Sequence, residues 1–327
     1  MGSHSLEFRP KFSPINLVNR NITIKAESAA STLLVFQSIF PFLLFAGDVK
    51  GTPITITIHG GTNVSFSLSF EYLDQVLLPA LERFGIKVDR KLESRGWSHG
   101  SIQLGSAKFQ FIPLAPGKSL KQPTWPKECG TITQIDVSLV VPAYLQATLK
   151  KSLLFELDLV FPDTVPNFVL VEDSKHTKRM YALLVAHTST GLRFGRDWLY
   201  DKKSKDKSAD QISTEIAQKV VDYLDKEVRK GGLIDEYLQD QLIIFQALAE
   251  GPSSISGSPE AMYSTRGRVD RTEEPFGDGS THTTTARWVT SQLLPHLKWI
   301  DSGRVCKGVG WKVATPGALP ESGSKSN

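Results

Sequence analysis

STLLVFQSIFPFLLFAG, residues 31–47, is the most apolar stretch of the chain, and it is interrupted by Gln37, Ser38 and Pro41. A helix that spans a bilayer needs roughly 20 apolar residues, so this stretch predicts a buried helix over 28–46 rather than a membrane anchor. Its flanks support that reading. ITIKA (22–26) predicts a strand, and TPITITIHG (52–60) alternates apolar and polar residues as a half-buried strand does, closing on Gly60-Gly61. SLSFEYLDQVLLPALERFG (67–85) has apolar residues at helical spacing and Gly85 as a stop, and IKVDRKLESRG (86–96) and AKFQFIPL (107–114) read as two further strands. One β-α-β-α-β-β unit is expected.

The same pieces return near the C-terminus. EYLQDQLIIFQALAEG (236–251) ends in Gly with Gln241 ten residues before it, as Gln37 stands before Gly47. DQVLLPAL (74–81) and TSQLLPHL (290–297) share a Leu-Leu-Pro-x-Leu ending, and each follows a loop rich in Gly, Thr and Ser. Two matching pairs in one order predict a duplicated unit. The expected class is α+β, with repeated βαβαββ units forming a large domain and a smaller α+β domain inserted between them. The boundaries expected are 1–130 and 233–313 for the two parts of the large domain, 131–232 for the insert and 314–327 for a disordered tail. Within the insert, ITQIDVSLVV, NFVLVED and RMYALLVAHT read as strands, and 142–161 and 208–230 as helices. Pro/Gly-rich edges at 113–130 and at Gly231-Gly232 predict a separable segment. Residues 251–281 and those after Val313 are poor in apolar side chains and are expected to be mobile.

The charge is 38 minus 34, or +4, over 327 residues. That is too small an excess to hold nucleic acid by itself, so any such contact must be local. Cys129 and Cys306 are far apart and lack zinc-site spacing, which predicts a reducing compartment and no structural metal. The N-terminal residues show no secretory pattern. HExxH, GxSxG and paired CxxC motifs are absent, so metallohydrolase and serine hydrolase chemistry has no support.

Taken together, GSHSLEFRP near the start, HGGTN (59–63), DEYLQDQLIIFQALAEG (235–251) and THTTTARWVTSQLLP (281–295) resemble the RNA 3'-terminal phosphate cyclases over nearly the whole chain. The resemblance implies that ATP, with Mg²⁺, adenylylates a histidine. The AMP then passes to an RNA 3'-phosphate end, and the neighbouring 2'-hydroxyl displaces it to close a 2',3'-cyclic phosphate. The family's motif histidine falls on His282, and its nucleotide-contacting positions fall on Gln37, Tyr237, Asp240 and Gln241. RNA 3'-phosphate ends are the implied partner and an intracellular, nuclear setting the implied location; no protein partner is legible. Complete members of the family begin with a further repeat carrying a GGGQ stretch and phosphate-binding arginines, and this chain starts after it, which predicts weak nucleotide binding. Non-catalytic relatives that assist ribosomal RNA processing are the alternative. They lack the histidine, which this chain keeps.

Each candidate also has a plainer reading. A histidine in a Thr-rich loop at a helix entrance is often a solvated or capping residue; as a nucleophile it would use a neutral imidazole beside free N–H groups that attract phosphate. Asp240 and Gln241 would hold Mg²⁺ and the adenosine, or form an exposed turn before the buried face LIIFQALA. Gln37 in an apolar helix suits core specificity as well as ATP. HGGTN lacks the lysine of a P-loop and reads mainly as a turn.

Overall fold

Ser31 starts the helix that the 31–47 stretch encodes: its hydroxyl accepts hydrogen bonds from the backbone N–H groups of Leu33 and Leu34. In this computed structural model, which describes residues 13–26, 30–255 and 279–313 together with Glu7 and Arg9, that helix is α1 (Thr32–Leu44). The expected disordered tail, most of the 251–281 loop and most of the GSHSLEFRP stretch lie outside the described residues. α1 buries Leu33, Phe36, Phe40, Leu43 and Leu44 and turns Leu34 and Phe42 to solvent. Phe36 stacks on Phe40 with ring centroids 4.7 Å apart. Among the described residues no helix is long and apolar enough to cross a membrane.

α1 lies between two parallel strands, β1 (Asn21–Lys25) and β2 (Ile54–Gly60). Ile54, Ile56 and Ile58 of β2 are fully buried while the threonines between them are only partly covered, the alternation of a sheet with one face on a core. β3 (Val88–Ser94) and β4 (Gly105–Phe111) complete a sheet of order β1-β2-β4-β3. The second helix of this unit, α2, is expected to be continuous over 67–85 and is not. It runs as Phe70–Tyr72, a π-helical turn over Leu73–Leu77, and Leu78–Glu82. Pro79 has no N–H to offer the carbonyl four residues back, that of Gln75, and the helix widens there. The freed Gln75 carbonyl accepts from Nη1 of Arg193 at 2.8 Å.

Toward the C-terminus come α5 (Glu236–Leu248), β9 (Glu250–Ser254), α6 (Thr281–Leu293), β10 (Lys298–Ile300) and β11 (Val305–Val309). Their antiparallel order β10-β11-β9 reproduces β3-β4-β2. The place of β1 is taken by a parallel bridge between Lys121 and Glu250, with the Glu250 N–H donating to the Leu120 carbonyl at 2.7 Å. The duplication is thus visible in strand order.

Between Lys121 and α5 the chain builds a second four-stranded sheet of order β6-β5-β7-β8 from β5 (Ile132–Val141), β6 (Val165–Asp173), β7 (Tyr181–Thr188) and β8 (Arg193–Leu199). Helices α3 (Ala143–Val160) and α4 (Ala209–Val228) cover one face. Leu145, Leu149, Leu153 and Leu157, at four-residue spacing, share one core with Ile212, Ile216, Val220 and Leu224. The opposite side does not stand apart: Val140, Tyr181, Leu183 and Val185 belong to the same core as α1 and α2. Gly195 shows how close this approach is, since a Cβ there would come within 2.7 Å of the Tyr72 ring and 2.8 Å of Val76.

Candidate active site

Asp235 fixes the start of α5. Completely buried, it accepts from the backbone N–H groups of Tyr237 (3.0 Å) and Leu238 (2.9 Å), from the Tyr72 hydroxyl (2.6 Å) and from the Gly195 N–H (2.9 Å). Burial pushes its carboxyl up, and the Arg196 guanidinium, the Gly195 N–H and the Tyr72 hydroxyl pull it back. Arg196 also pairs with the buried Glu227. The N-terminus of α5 is therefore held by groups from α2, β8 and α4 at once.

α6 begins at Ser280, whose hydroxyl accepts from the N–H of Thr283 at 3.1 Å. His282 follows in the first turn of this helix, with its side chain exposed. α5 and α6 pack over a small core of Ile243, Ala247, Leu297, Trp299 and Cys306. Between the two helices opens a cleft of about 550 Å³, lined by Asp240, Ile243, Thr281, His282, Thr285 and Val289 among others. The threonines line it unequally: Thr281 and Thr285 face the cleft, whereas Thr283 is fully buried beneath the turn.

Two of the five expected residues, His282 and Asp240, meet in this cleft. Burial pushes the Asp240 carboxyl up, and the Gln241 amide, which donates to it at 2.8 Å, and then the nearby His282 ring pull it back. The polar end of the cleft thus pairs an imidazole at a helix entrance with a carboxylate, above apolar walls. The other three residues do not line it. Gln241 spends its amide on Asp240. Tyr237 lies one turn earlier on α5, its ring 4.1 Å from the Arg196 guanidinium and edge-on to the Tyr72 ring, with the rest partly exposed. Gln37 sits on α1, with its amide nitrogen buried and without a partner.

The HGGTN stretch serves the fold. Thr62 and Asn63 are buried, and Arg95 joins Asn63 (3.1 Å), Glu71 (2.6 Å) and Glu172 (2.8 Å) in one network. No sequence signal pointed to this network, because its members come from four separate stretches. Ile243, Thr285 and Val289 were equally missed; the signal for them was the i, i+4 spacing of Thr285 and Val289 on the face of α6 that carries His282.

The sequence model of the RNA 3'-terminal phosphate cyclase family matches residues 1–296. The RNA 3'-terminal phosphate cyclase of Drosophila melanogaster is 27% identical over 267 residues, which cover 78% of this chain and 68% of that protein. One from Thermococcus kodakarensis is 29% identical over 257 residues, covering 78% and 68%. A protein of Dictyostelium discoideum described as a probable RNA 3'-terminal phosphate cyclase is 27% identical over 276 residues, covering 80% of this chain and 58% of its own length.

Proposed function

Because this chain belongs to the RNA 3'-terminal phosphate cyclase family, we propose that it converts an RNA 3'-phosphate end into a 2',3'-cyclic phosphate, with ATP consumed as a substrate and His282 as the nucleotidyl acceptor. The observation that carries this reading is the meeting of His282 and Asp240 in one cleft at the entrance of α6. A cleft of about 550 Å³ is within the range that encloses nucleotide-sized ligands.

The imidazole nitrogen of His282 attacks the α-phosphorus of ATP. A P–N bond forms, the bond to the bridging oxygen breaks, and pyrophosphate leaves with the electron pair. The N–H groups of the first turn of α6 and the hydroxyls of Thr281 and Thr285 face the charge that develops on phosphorus. An oxygen of the RNA 3'-phosphate then displaces the imidazole from AMP, which restores the ring. Attack of the 2'-hydroxyl on the 3'-phosphorus expels AMP, and the hydroxyl proton passes to solvent. Among the described residues no cluster of three or more His, Cys, Asp or Glu side chains is placed to hold a metal. Mg²⁺ would enter on the triphosphate, with Asp240 as the described carboxylate placed to hold it.

The test is incubation of the chain with ATP labelled at the α-phosphate and Mg²⁺, at concentrations raised until labelling saturates, with and without RNA carrying a 3'-phosphate. One AMP on His282, labile to acid and stable to base, is the expected product, and His282→Ala should abolish both the adduct and cyclisation. No adduct on the unaltered chain, AMP on a lysine instead, or an alanine variant that still cyclises RNA ends would each overturn the assignment.

A further inference from the structure

Away from the cleft, a second cavity of about 30 Å³ lies where three parts of the molecule meet. The C-terminal cap of α2 supplies Arg83, the stretch before β5 supplies Trp125, and the start of β8 supplies Arg193, with Gly191, Leu233 and Ile234 around them. The Arg83 guanidinium lies over the Trp125 ring at 5.4 Å from its centroid and donates through Nη2 to the Gly191 carbonyl at 2.6 Å. Arg193 donates through Nη1 to the Gln75 carbonyl at 2.8 Å. Each guanidinium has five N–H donors, so most of them are left over. Among the described residues neither arginine has a carboxylate within 4.0 Å. The indole N–H of Trp125 is buried and without a partner.

Two half-buried cations side by side with no anion between them are an expensive arrangement. Burial, and then the Arg193 charge, pull the Arg83 guanidinium below its usual range. An oxyanion placed between them would relieve both the repulsion and the lost hydration, and the planar guanidinium fork matches such a group with paired hydrogen bonds. By the same measure a single water needs roughly 10–15 Å³, so this cavity has room for one compact oxyanion and excludes a nucleotide.

We propose that this junction is a binding site for a single tetrahedral oxyanion of the phosphate class, gripped by Arg83 and Arg193 beside Trp125. The site is separate from the His282 cleft and does not depend on the cyclase reading. Occupied, it ties α2, the stretch before β5 and the β7–β8 turn together, so phosphate acts on this chain as a structural effector.

The experiment is thermal unfolding and tryptophan fluorescence of the full chain titrated with inorganic phosphate, at constant ionic strength set with chloride. A saturable rise in Tm with a change in indole emission is expected. Arg83→Gln and Arg193→Gln should each weaken the apparent phosphate affinity at least tenfold. Each glutamine variant also loses a hydrogen bond, to the Gly191 or the Gln75 carbonyl, so the quantity read is the phosphate-dependent shift of each variant against its own phosphate-free Tm. Arg83→Lys keeps the charge and loses the fork, and serves should a glutamine variant fail to fold; it too should bind phosphate more weakly. The proposal is overturned if phosphate gives no saturable shift, if the shift survives in the arginine variants, as binding in the His282 cleft would make it, or if acetate stabilises equally well.

Discussion

Asp197 on β8 accepts a hydrogen bond from the Tyr181 hydroxyl at 3.0 Å, and the Ser69 hydroxyl stands 2.5 Å beyond Tyr181. Burial pushes its carboxyl up to about 6 from 3.8. The folded chain therefore holds this proton more tightly than the unfolded chain does. Between those two values the folded state binds more protons, so stability falls as pH rises through the window, the reverse of a salt-bridged carboxylate. Asp197→Asn should flatten that slope: denaturant midpoints compared at about pH 4 and about pH 7 should differ less in the variant than in the unaltered chain. An unchanged slope would show that another group titrates. Other residues of this kind also escaped sequence reasoning. His282 and Asp240 were legible because a motif names each of them, but the Asp235–Arg196–Glu227 cluster was not, because its members are distant in sequence and meet only through packing. Tyr237 was assigned to the nucleotide by its motif, and the Arg196 guanidinium that faces its ring carries no such label.

The Ser280 side chain caps α6, and His282 lies in the turn it closes. Ser280→Ala should lower stability by about 1 kcal/mol, read from denaturant unfolding. Because the loss frays the turn that aims the imidazole, AMP transfer should slow as well, and Ser280→Asp should restore both quantities. An alanine variant that loses stability yet labels at the normal rate would detach His282 from the catalytic turn. Among the elements, α1, β2, β4 and the helices covering the second sheet were legible from periodicity, since each has one face on a core. β8 was not, because RFGRDWL contains a glycine and three charged residues. Gly195 is needed for the close approach to Tyr72, and Arg193, Arg196 and Asp197 find partners that only the tertiary fold supplies. β9 was hidden by Gly251 and Pro252, which a strand at the edge of its three-stranded sheet tolerates. The π turn in α2 was hidden because Pro79 leaves apolar spacing intact while it removes a backbone donor.

For the molecule as a whole, the Pro/Gly-rich edges of 131–232 suggest a segment that comes away cleanly, and the packing predicts otherwise. Excision would strip Val140, Tyr181, Leu183 and Val185 from the core of α1 and α2. It would also leave Asp235, fully buried, without the Arg196 guanidinium and the Gly195 N–H. Losing one partner of a buried pair costs about 3–5 kcal/mol, a large share of a domain's whole stability. A chain joined from residue 130 to residue 233 by a short Gly-Ser linker should therefore lack a cooperative melt by calorimetry, and a sharp transition near that of the intact chain would refute this account. The bridge between Lys121 and Glu250 sets a calendar for the molecule. These neighbours are 129 positions apart, and the segment around Lys121 has nothing to pair with until the chain has passed Glu250. As a polypeptide leaves the ribosome, units near the N-terminus fold first. The first sheet and the middle segment can thus settle while that bridge waits for its partner. Among the described residues the cleft draws its lining from Asp240 onward, and so it can take shape only after those earlier parts of the chain have been made.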